Sequence, residues 1–226
     1  MASDPGPLLA VGRECDVYEV DADRVLRRSR RGSSCEAEAE LMRHVAAHGY
    51  PVPTVYDADG PDIVMARVEG RTMADEIGRR PHRMGRYVAM LAELHDRLHE
   101  IEAPPGLRAI GDGGQAVIHL DLHPLNVLVG PEGPVVIDWS NAAAGLGATD
   151  VAVTWVIVAT SLPDASPFLS LVARAVGPRL GKAFARRTDY AAARRQLPFA
   201  AAMRAEDRNL RDGERRRLER LQRSLA

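Results

Sequence analysis

The sequence predicts an α+β fold: an N-terminal antiparallel sheet plus one helix, followed by a mostly helical C-terminal part interrupted by one hairpin. Three observations carry this. Residues 8–66 hold five short runs of alternating side chains broken by turn residues, the pattern of short strands. Met84, Tyr87, Val88, Leu91, Leu94, Leu98 and Ile101 recur at helical spacing and give a long amphipathic helix. The most apolar run, 151–162, is about a dozen residues long, bounded by Asp150 and by Pro163-Asp164; that is too short to cross a bilayer and reads as a buried helix.

Taken in order, "LLAV", "CDVYEV" and "RVLRR" over 8–28 read as a three-stranded meander with close turns. In "RRGSSCEAEAELMRHVAAHGYPVP", Ser33 with Glu36 three residues later fits a capping box, so a helix is expected from Ser34. It should stop near Gly49, with Pro51 and Pro53 beyond it. "TVYDADGPDIVMARV" reads as two strands joined at Asp59-Gly60. The polar, glycine-bearing stretch "RVEGRTM" is a hinge. This divides the chain into an N-terminal lobe over 1–66, a hinge over 67–70 and a C-terminal lobe over 71–226. The long helix and the loop "APPGLRAIGDGGQ" follow, then "AVIHL", then the strand pair "NVLVG" and "PVVID", and a helical remainder from Asp150. The closing "RNLRDGERRRLERLQRSLA" balances arginines against acids and reads as a solvated surface helix.

Bulk properties exclude several classes. A formal net charge of -1 gives no global field for nucleic acid or anionic lipid. The two cysteines, Cys15 and Cys35, make a disulfide framework unexpected and fit a reducing cytoplasm. The first residues lack the basic and apolar regions of a signal peptide. No membrane partner is expected, and the oligomeric state is not readable.

The chemistry concentrates in "VIHLDLHPLNVLVGPEGPVVIDWSN". Asp121, Asn126 and Asp138 lie in or beside aliphatic strands, where ionised carboxylates need a compensating partner. A hairpin through "GPEGP" brings Asn126 and Asp138 to the same end. One amide oxygen beside one carboxylate suits a hard cation that keeps several water or phosphate oxygens, as magnesium does. Asp121, on the loop before the hairpin, is free to meet a substrate hydroxyl.

His119-x-Asp121-x-x-x-x-Asn126 followed by a strand-end Asp138 is the kinase catalytic arrangement. The wording "HLDLHPLNVLV…VVIDWSNAAAGLGATDVA" resembles the aminoglycoside phosphotransferase family of kinase-like enzymes, specifically over 117–152 and more weakly over 8–70. The resemblance implies a two-lobed protein-kinase-like fold and an ATP- and magnesium-dependent transfer of phosphate to a hydroxyl of a small molecule. It implies that Asp121 positions and deprotonates the acceptor hydroxyl, and that Asn126 and Asp138 hold magnesium. His119 would brace the loop, His123 would pack it or reach the site, and His95 would pack a helix. Asp150 would hold the catalytic loop from below, or else cap the helix that follows it.

In the N-terminal lobe the resemblance implies a cation on the third strand, paired with a glutamate on the helix. The single lysine, Lys182, lies far past the catalytic loop, so Arg27 takes the lysine slot and Glu38 the glutamate slot. Arginine there is a departure, because a planar fork is not a compact ammonium. The phosphate loop "AVGRECDVY" is a second departure, with Gly12 its one glycine and Asp16 where a phosphate would be repelled. The backbone from Ala66 to Val68 would meet the adenine. Only eleven residues separate Asp138 from Asp150, too few for the peptide platform of a protein kinase. A non-catalytic nucleotide-binding pseudokinase is the alternative, motivated by Arg27 and the thin glycine loop. Arginines outnumber acids after Asp150, so a sugar or amino alcohol is a more natural acceptor than a polycationic aminoglycoside.

Overall fold

The computed structural model describes residues 6–12, 14–111, 113–160, 179–208 and 210–225. They separate into two compact units, one of residues 1–70 with 128–140, the other of 71–127 with 141–226. The sequence division assigned 71–226 whole to the second lobe; by packing, the hairpin region 128–140 groups with the first.

The first unit is built on a five-stranded antiparallel sheet of β1 (Leu8–Val11), β2 (Cys15–Glu19), β3 (Arg24–Ser29), β4 (Val55–Asp59) and β5 (Asp62–Ala66), in the order β1-β2-β3-β5-β4. The expected meander is present, with Val17 opposite Arg27 and Arg27 opposite Ile63. The β4–β5 turn closes with Asp59 opposite Asp62, and Gly60 has φ 53°. Helix α1 (Glu36–Ala47) covers the sheet, and Cys35, Ala39 and Ile63 form a core against which Val55, Ala58 and Met65 pack. The capping box does not form: the N-cap is Cys35, and the Ser34 hydroxyl, not that of Ser33, accepts from Glu36 N–H at 3.3 Å. The helix therefore starts two residues later than the sequence suggested.

The second unit is mostly helical. After β6 (Arg71–Thr72) come α2 (Met73–Arg79), a 3-10 turn over Pro81–Arg83, and α3 (Met84–His99). The predicted stripe on α3 is the buried one, including Tyr87, Val88, Leu91, Leu94 and Leu98. Strand β7 (Ala116–Ile118) pairs antiparallel with β10 (Ala143–Gly145). Between them in sequence lies the hairpin of β8 (Val127–Gly130) and β9 (Gly133–Val136). Helix α4 (Gly147–Thr160) is buried along most of its length, as its apolar composition requires; residues 161 and 162 of the predicted helix lie outside the described residues. Helices α5 (Tyr190–Ala205) and α6 (Asp212–Leu225) complete the unit, with α5 packed on α4. On α6 only Glu214 and Leu218 are buried, which makes it the solvated helix expected of its charge pattern. No helix among the described residues is long and apolar enough to cross a membrane.

Candidate active site

The catalytic-loop residues lie together between β7 and β8, and the loop is held by side chains from two helices. Asp150, on α4 and fully buried, accepts Leu120 N–H at 2.7 Å and His119 N–H at 3.2 Å. Of the two roles considered for it, the structure shows the brace: Asp150 lies inside α4 and does not cap it. His99 Nε2 is 3.0 Å from the same carboxylate and His95 Nδ1 3.4 Å. Burial pushes this carboxyl up, but the hydrogen bonds and charges of His95 and His99 outweigh it and hold it well below the usual range. Thr154, one turn along α4, donates to the Leu122 carbonyl at 2.7 Å and accepts from His95 Nε2 at 3.1 Å. These anchors hold Leu120 at φ 64°, a left-handed conformation that costs a non-glycine residue on the order of 1–2 kcal/mol.

Beyond the strained residue, Asp121 projects with its carboxylate ordered on both oxygens. Asn126 Nδ2 donates to Asp121 Oδ2 at 2.8 Å and to the Asp121 carbonyl at 2.9 Å. His123 Nδ1 accepts from Leu125 N–H at 3.2 Å, so the ring proton sits on Nε2, which is 3.2 Å from Asp121 Oδ1. His123 is thus a direct partner of Asp121 rather than a packing residue alone. His119 braces the loop as expected, accepting Asp121 N–H on Nδ1 at 3.2 Å. Burial pushes the Asp121 carboxyl up, but His123, with smaller help from His119 and Arg204, leaves it lower than usual. The carboxyl is therefore ionised at neutral pH.

The first unit holds the other predicted residues. Arg27 is buried, and its Nη1 donates to Glu38 Oε2 at 2.8 Å. Its Nη2 is 3.7 Å from Asp138 Oδ1. Burial opposes its charge, but Glu38, Cys15 and Asp138 raise its pKa further still, so the guanidinium is permanently charged. Neighbouring Arg28 instead forms a two-pronged pair with Asp62 across β3 and β5, at 2.7 and 2.6 Å. The second Glu38 oxygen accepts Trp139 N–H at 3.1 Å, so one carboxylate ties the β3 arginine to the backbone next to Asp138. Trp139 is buried edge-on against Tyr50, 5.6 Å between ring centres. Asp138 takes φ 65° and leaves its side chain 47% exposed, with Oδ1 accepting from Ser140 at 3.0 Å.

Gly12 makes a tight turn by donating to the Cys15 carbonyl at 2.8 Å, and a Cβ there would meet that oxygen at 2.5 Å. Arg13 lies outside the described residues. Asp16 accepts from Arg30 Nε at 2.9 Å, which partly neutralises it, and burial pushes the Cys15 thiol up to about 11. Ala66 N–H is donated to the Thr54 carbonyl and Arg67 N–H to that of Asp23, each at 2.8 Å. Of the stretch Ala66 to Val68, these bonds leave Val68 N–H as the donor not already engaged among the described residues, and Ala66 has no N–H to offer a base.

Each residue by itself offers the donor a hard cation takes. With the Asn126 amide nitrogen donating to Asp121, its Oδ1 is left as an acceptor, and Asp138, in the other unit, offers a half-exposed carboxylate.

Sequence reasoning missed His99 and Thr154, which hold the loop through the Asp150 carboxylate and the Leu122 carbonyl. Both lie outside the stretch 117–152 where the family wording is specific.

The family model described as the phosphotransferase enzyme family matches residues 7–111 and 99–183. No curated protein matches the chain significantly. The structure of aminoglycoside phosphotransferase APH(4)-Ia, a thermostable mutant in ternary complex with AMP-PNP and hygromycin B, is similar with a TM-score of 0.69 at 17% identity, covering 97% of this chain and 94% of that one. The streptomycin-ATP-APH(2")-IIa ternary complex has a TM-score of 0.61 at 15% identity, covering 88% and 84%. A choline/ethanolamine kinase family protein from Mesorhizobium loti has a TM-score of 0.55 at 16% identity, covering 98% and 94%. At these identities the likeness is one of fold, the kinase-like fold that the motif implied.

Proposed function

The chain belongs to the phosphotransferase enzyme family, a kinase-type enzyme with an alcohol as acceptor, and we propose that it transfers the γ-phosphate of ATP, with magnesium, to a hydroxyl of a small molecule. The observation that carries this is the ordered Asp121 carboxylate, hydrogen-bonded by Asn126 and faced by His123 in a loop pinned from below by Asp150. A purely structural acid would not need a strained loop and three neighbouring side chains to fix it. The ATP and AMP-PNP complexes of the similar structures support the choice of nucleotide.

In this reading Asp121 aligns the acceptor hydroxyl and takes its proton. Alignment supplies most of its value, because the transition state of phosphoryl transfer is loose. Asn126 Oδ1 and Asp138 would hold magnesium, which neutralises phosphate oxygens when bound. Arg27 faces the phosphates in place of lysine, oriented by Glu38, and a guanidinium can take two phosphate oxygens at once. The Gly12 turn lies over the phosphates, and the 67–70 hinge meets the adenine through Val68.

The test is a thermal melt of the parent, Asp121→Asn and Asp138→Asn with ATP, with and without magnesium. A ligand at about a hundred times its dissociation constant adds roughly 2.7 kcal/mol, a shift of several degrees for a chain of this size. The shift should need magnesium, survive Asp121→Asn and vanish in Asp138→Asn. Asp121→Asn should lose turnover by about 10²- to 10⁴-fold. A parent that shows no shift with any nucleoside triphosphate sinks the reading.

A further inference from the structure

We propose that His95, His99 and Asp150 form a binding site for one zinc-like divalent cation, which ties α3 to α4 beneath the catalytic loop. The site shares no residue with Asn126 and Asp138. The inference goes beyond the phosphotransferase reading and does not depend on it.

His95 and His99 are one turn apart on α3, so both rings leave the same face, and Asp150 and Thr154 are spaced the same way on α4. The two pairs meet. Asp150 Oδ2 is 3.0 Å from His99 Nε2 and 3.4 Å from His95 Nδ1. One ligand atom from each of the three residues lies within 4.8 Å of the other two. A tetrahedral ion with bonds of about 2.0–2.1 Å to nitrogen and oxygen sets neighbouring ligand atoms about 3.3–3.4 Å apart. The two contacts on the carboxylate bracket that spread. Two imidazoles and one carboxylate are a donor set for zinc rather than for magnesium.

A carboxylate braced by two histidines accounts for part of this. It accounts for His99, whose Nε2 is at hydrogen-bond distance. It does not account for His95. Thr154 Oγ1 gives its one hydrogen to the Leu122 carbonyl, so towards His95 it accepts, and Nε2 carries the ring proton. Nδ1 of the neutral ring is then a lone pair 3.4 Å from a carboxylate oxygen, two acceptors together in a residue with no exposure. With Nδ1 protonated as well, the added N–H lacks an acceptor in hydrogen-bond geometry, because this buried atom has no hydrogen-bond partner among the described residues. A cation between the two converts both lone pairs into ligands and removes a costly orphan.

The surrounding contacts are those a metal site needs. Nε2–H of His95 on Thr154 fixes the tautomer that leaves Nδ1 free to coordinate, and Leu120 N–H holds the other Asp150 oxygen at 2.7 Å. Gly147 lets the His99 ring lie against the start of α4, where a Cβ would meet Nδ1 at 2.5 Å. The side chains of His95 and Asp150 have no exposure, whereas that of His99 keeps 17%, so the ion enters on that side and a water completes the coordination there. On binding, the Nε2 proton of His99 moves to Nδ1 or to solvent.

The test uses the full chain, freed of metal by chelation and dialysis and titrated without nucleotide with zinc, magnesium or cobalt chloride. The parent should hold one zinc per chain by elemental analysis. Zinc at about a hundred times its dissociation constant should raise the melting point by several degrees, and magnesium at the same concentration should not. That excess should also slow amide exchange at His119 and Leu120 by up to about 100-fold, because openings that break the site are suppressed. Cobalt should give the intense visible absorption of a four-coordinate ion. His99→Gln keeps an amide donor for Asp150 but loses the imidazole, and should weaken zinc by at least about 100-fold. Thr154→Val keeps all three ligands and should weaken it by about 10- to 100-fold, which a threonine that only supports the loop does not predict. The competing chelator is the surface pair His44 and His48 at the end of α1, with ring centres 4.6 Å apart. Zinc that persists in His99→Gln and is lost in His48→Gln belongs to that pair and overturns the proposal, as does a parent that holds no stoichiometric zinc. Should His99→Gln fail to fold, Thr154→Val and the cobalt spectrum decide. A parent that binds zinc at this site but shows no shift with ATP keeps the proposal and loses the kinase reading, so the two fail separately.

Discussion

Replacing Asp150 with asparagine tests whether this residue, rather than the loop's own sequence, holds the catalytic geometry. The carboxylate has no exposure and receives Leu120 N–H, His119 N–H and His99 Nε2, with His95 Nδ1 close by. An asparagine of the same shape keeps one acceptor oxygen. Its amide nitrogen turns a donor towards Leu120 N–H, or towards His119 N–H and His99, and the bonds that remain lose their charge assistance. A lost charge-assisted bond of about 1.5–3 kcal/mol together with that weakening costs on the order of 3–5 kcal/mol, against a total stability of about 5–15 kcal/mol. For a chain of this length the melting temperature should fall by on the order of 10 °C. The native carboxyl titrates well below its unfolded value, so its contribution is present above about pH 4 and disappears as pH drops through the lowered native value. The gap between parent and variant should therefore be constant from pH 7 to about pH 4.5 and narrow only below that. Thermal melts across this range, with kcat alongside, read it. A loss under 2 °C at pH 7, or a gap that opens towards low pH, would refute the bracing argument.

Other perturbations have equally definite outcomes. Arg27→Met leaves Glu38 buried without its cation and should cost about 3–5 kcal/mol in urea unfolding. Adding Glu38→Gln should recover much of that loss, the mark of a coupled pair. Thr154→Val removes the bonds to the Leu122 carbonyl and to His95 and should cost about 1–3 kcal/mol by the same measurement. Gly12→Ala brings a Cβ to 2.5 Å from the Cys15 carbonyl, so the turn must open. Its melting point should stay within about 2 °C of the parent while the KM for ATP rises several-fold, because the turn is at the exposed end of the sheet.

The strands, α1, α3 and the loop around Asp121 were readable because each rests on local chemistry. Alternation, a turn at Asp59-Gly60, helical spacing and a motif of fixed length all act within a few residues. The start of α1 was misread for the same reason in reverse: Ser33 and Ser34 are chemically equivalent caps, and the strand that precedes them decides which hydroxyl can reach Glu36 N–H. The grouping of 128–140 with the first unit depends on contacts that no spacing encodes. Trp139 N–H meets Glu38 a hundred residues earlier in the chain, Val136 N–H meets the Pro51 carbonyl, and Gly70 and Gly130 admit close backbone contacts at Val129 and Glu69.

His99 and Thr154 show where reading by pattern ends. Along the sequence each is one polar residue in a helix, and nothing in its spacing marks it. Their meaning comes from what they touch below the loop: His99 meets the Asp150 carboxylate, and Thr154 lies between His95 and the Leu122 carbonyl. Both act on the loop that carries Asp121, whereas Arg27, Gly12 and the 67–70 stretch belong to the first unit. Thr154→Val should accordingly lower kcat and leave the KM for ATP unchanged. A KM for ATP that rises along with the loss of kcat would refute the view that this threonine supports the loop alone.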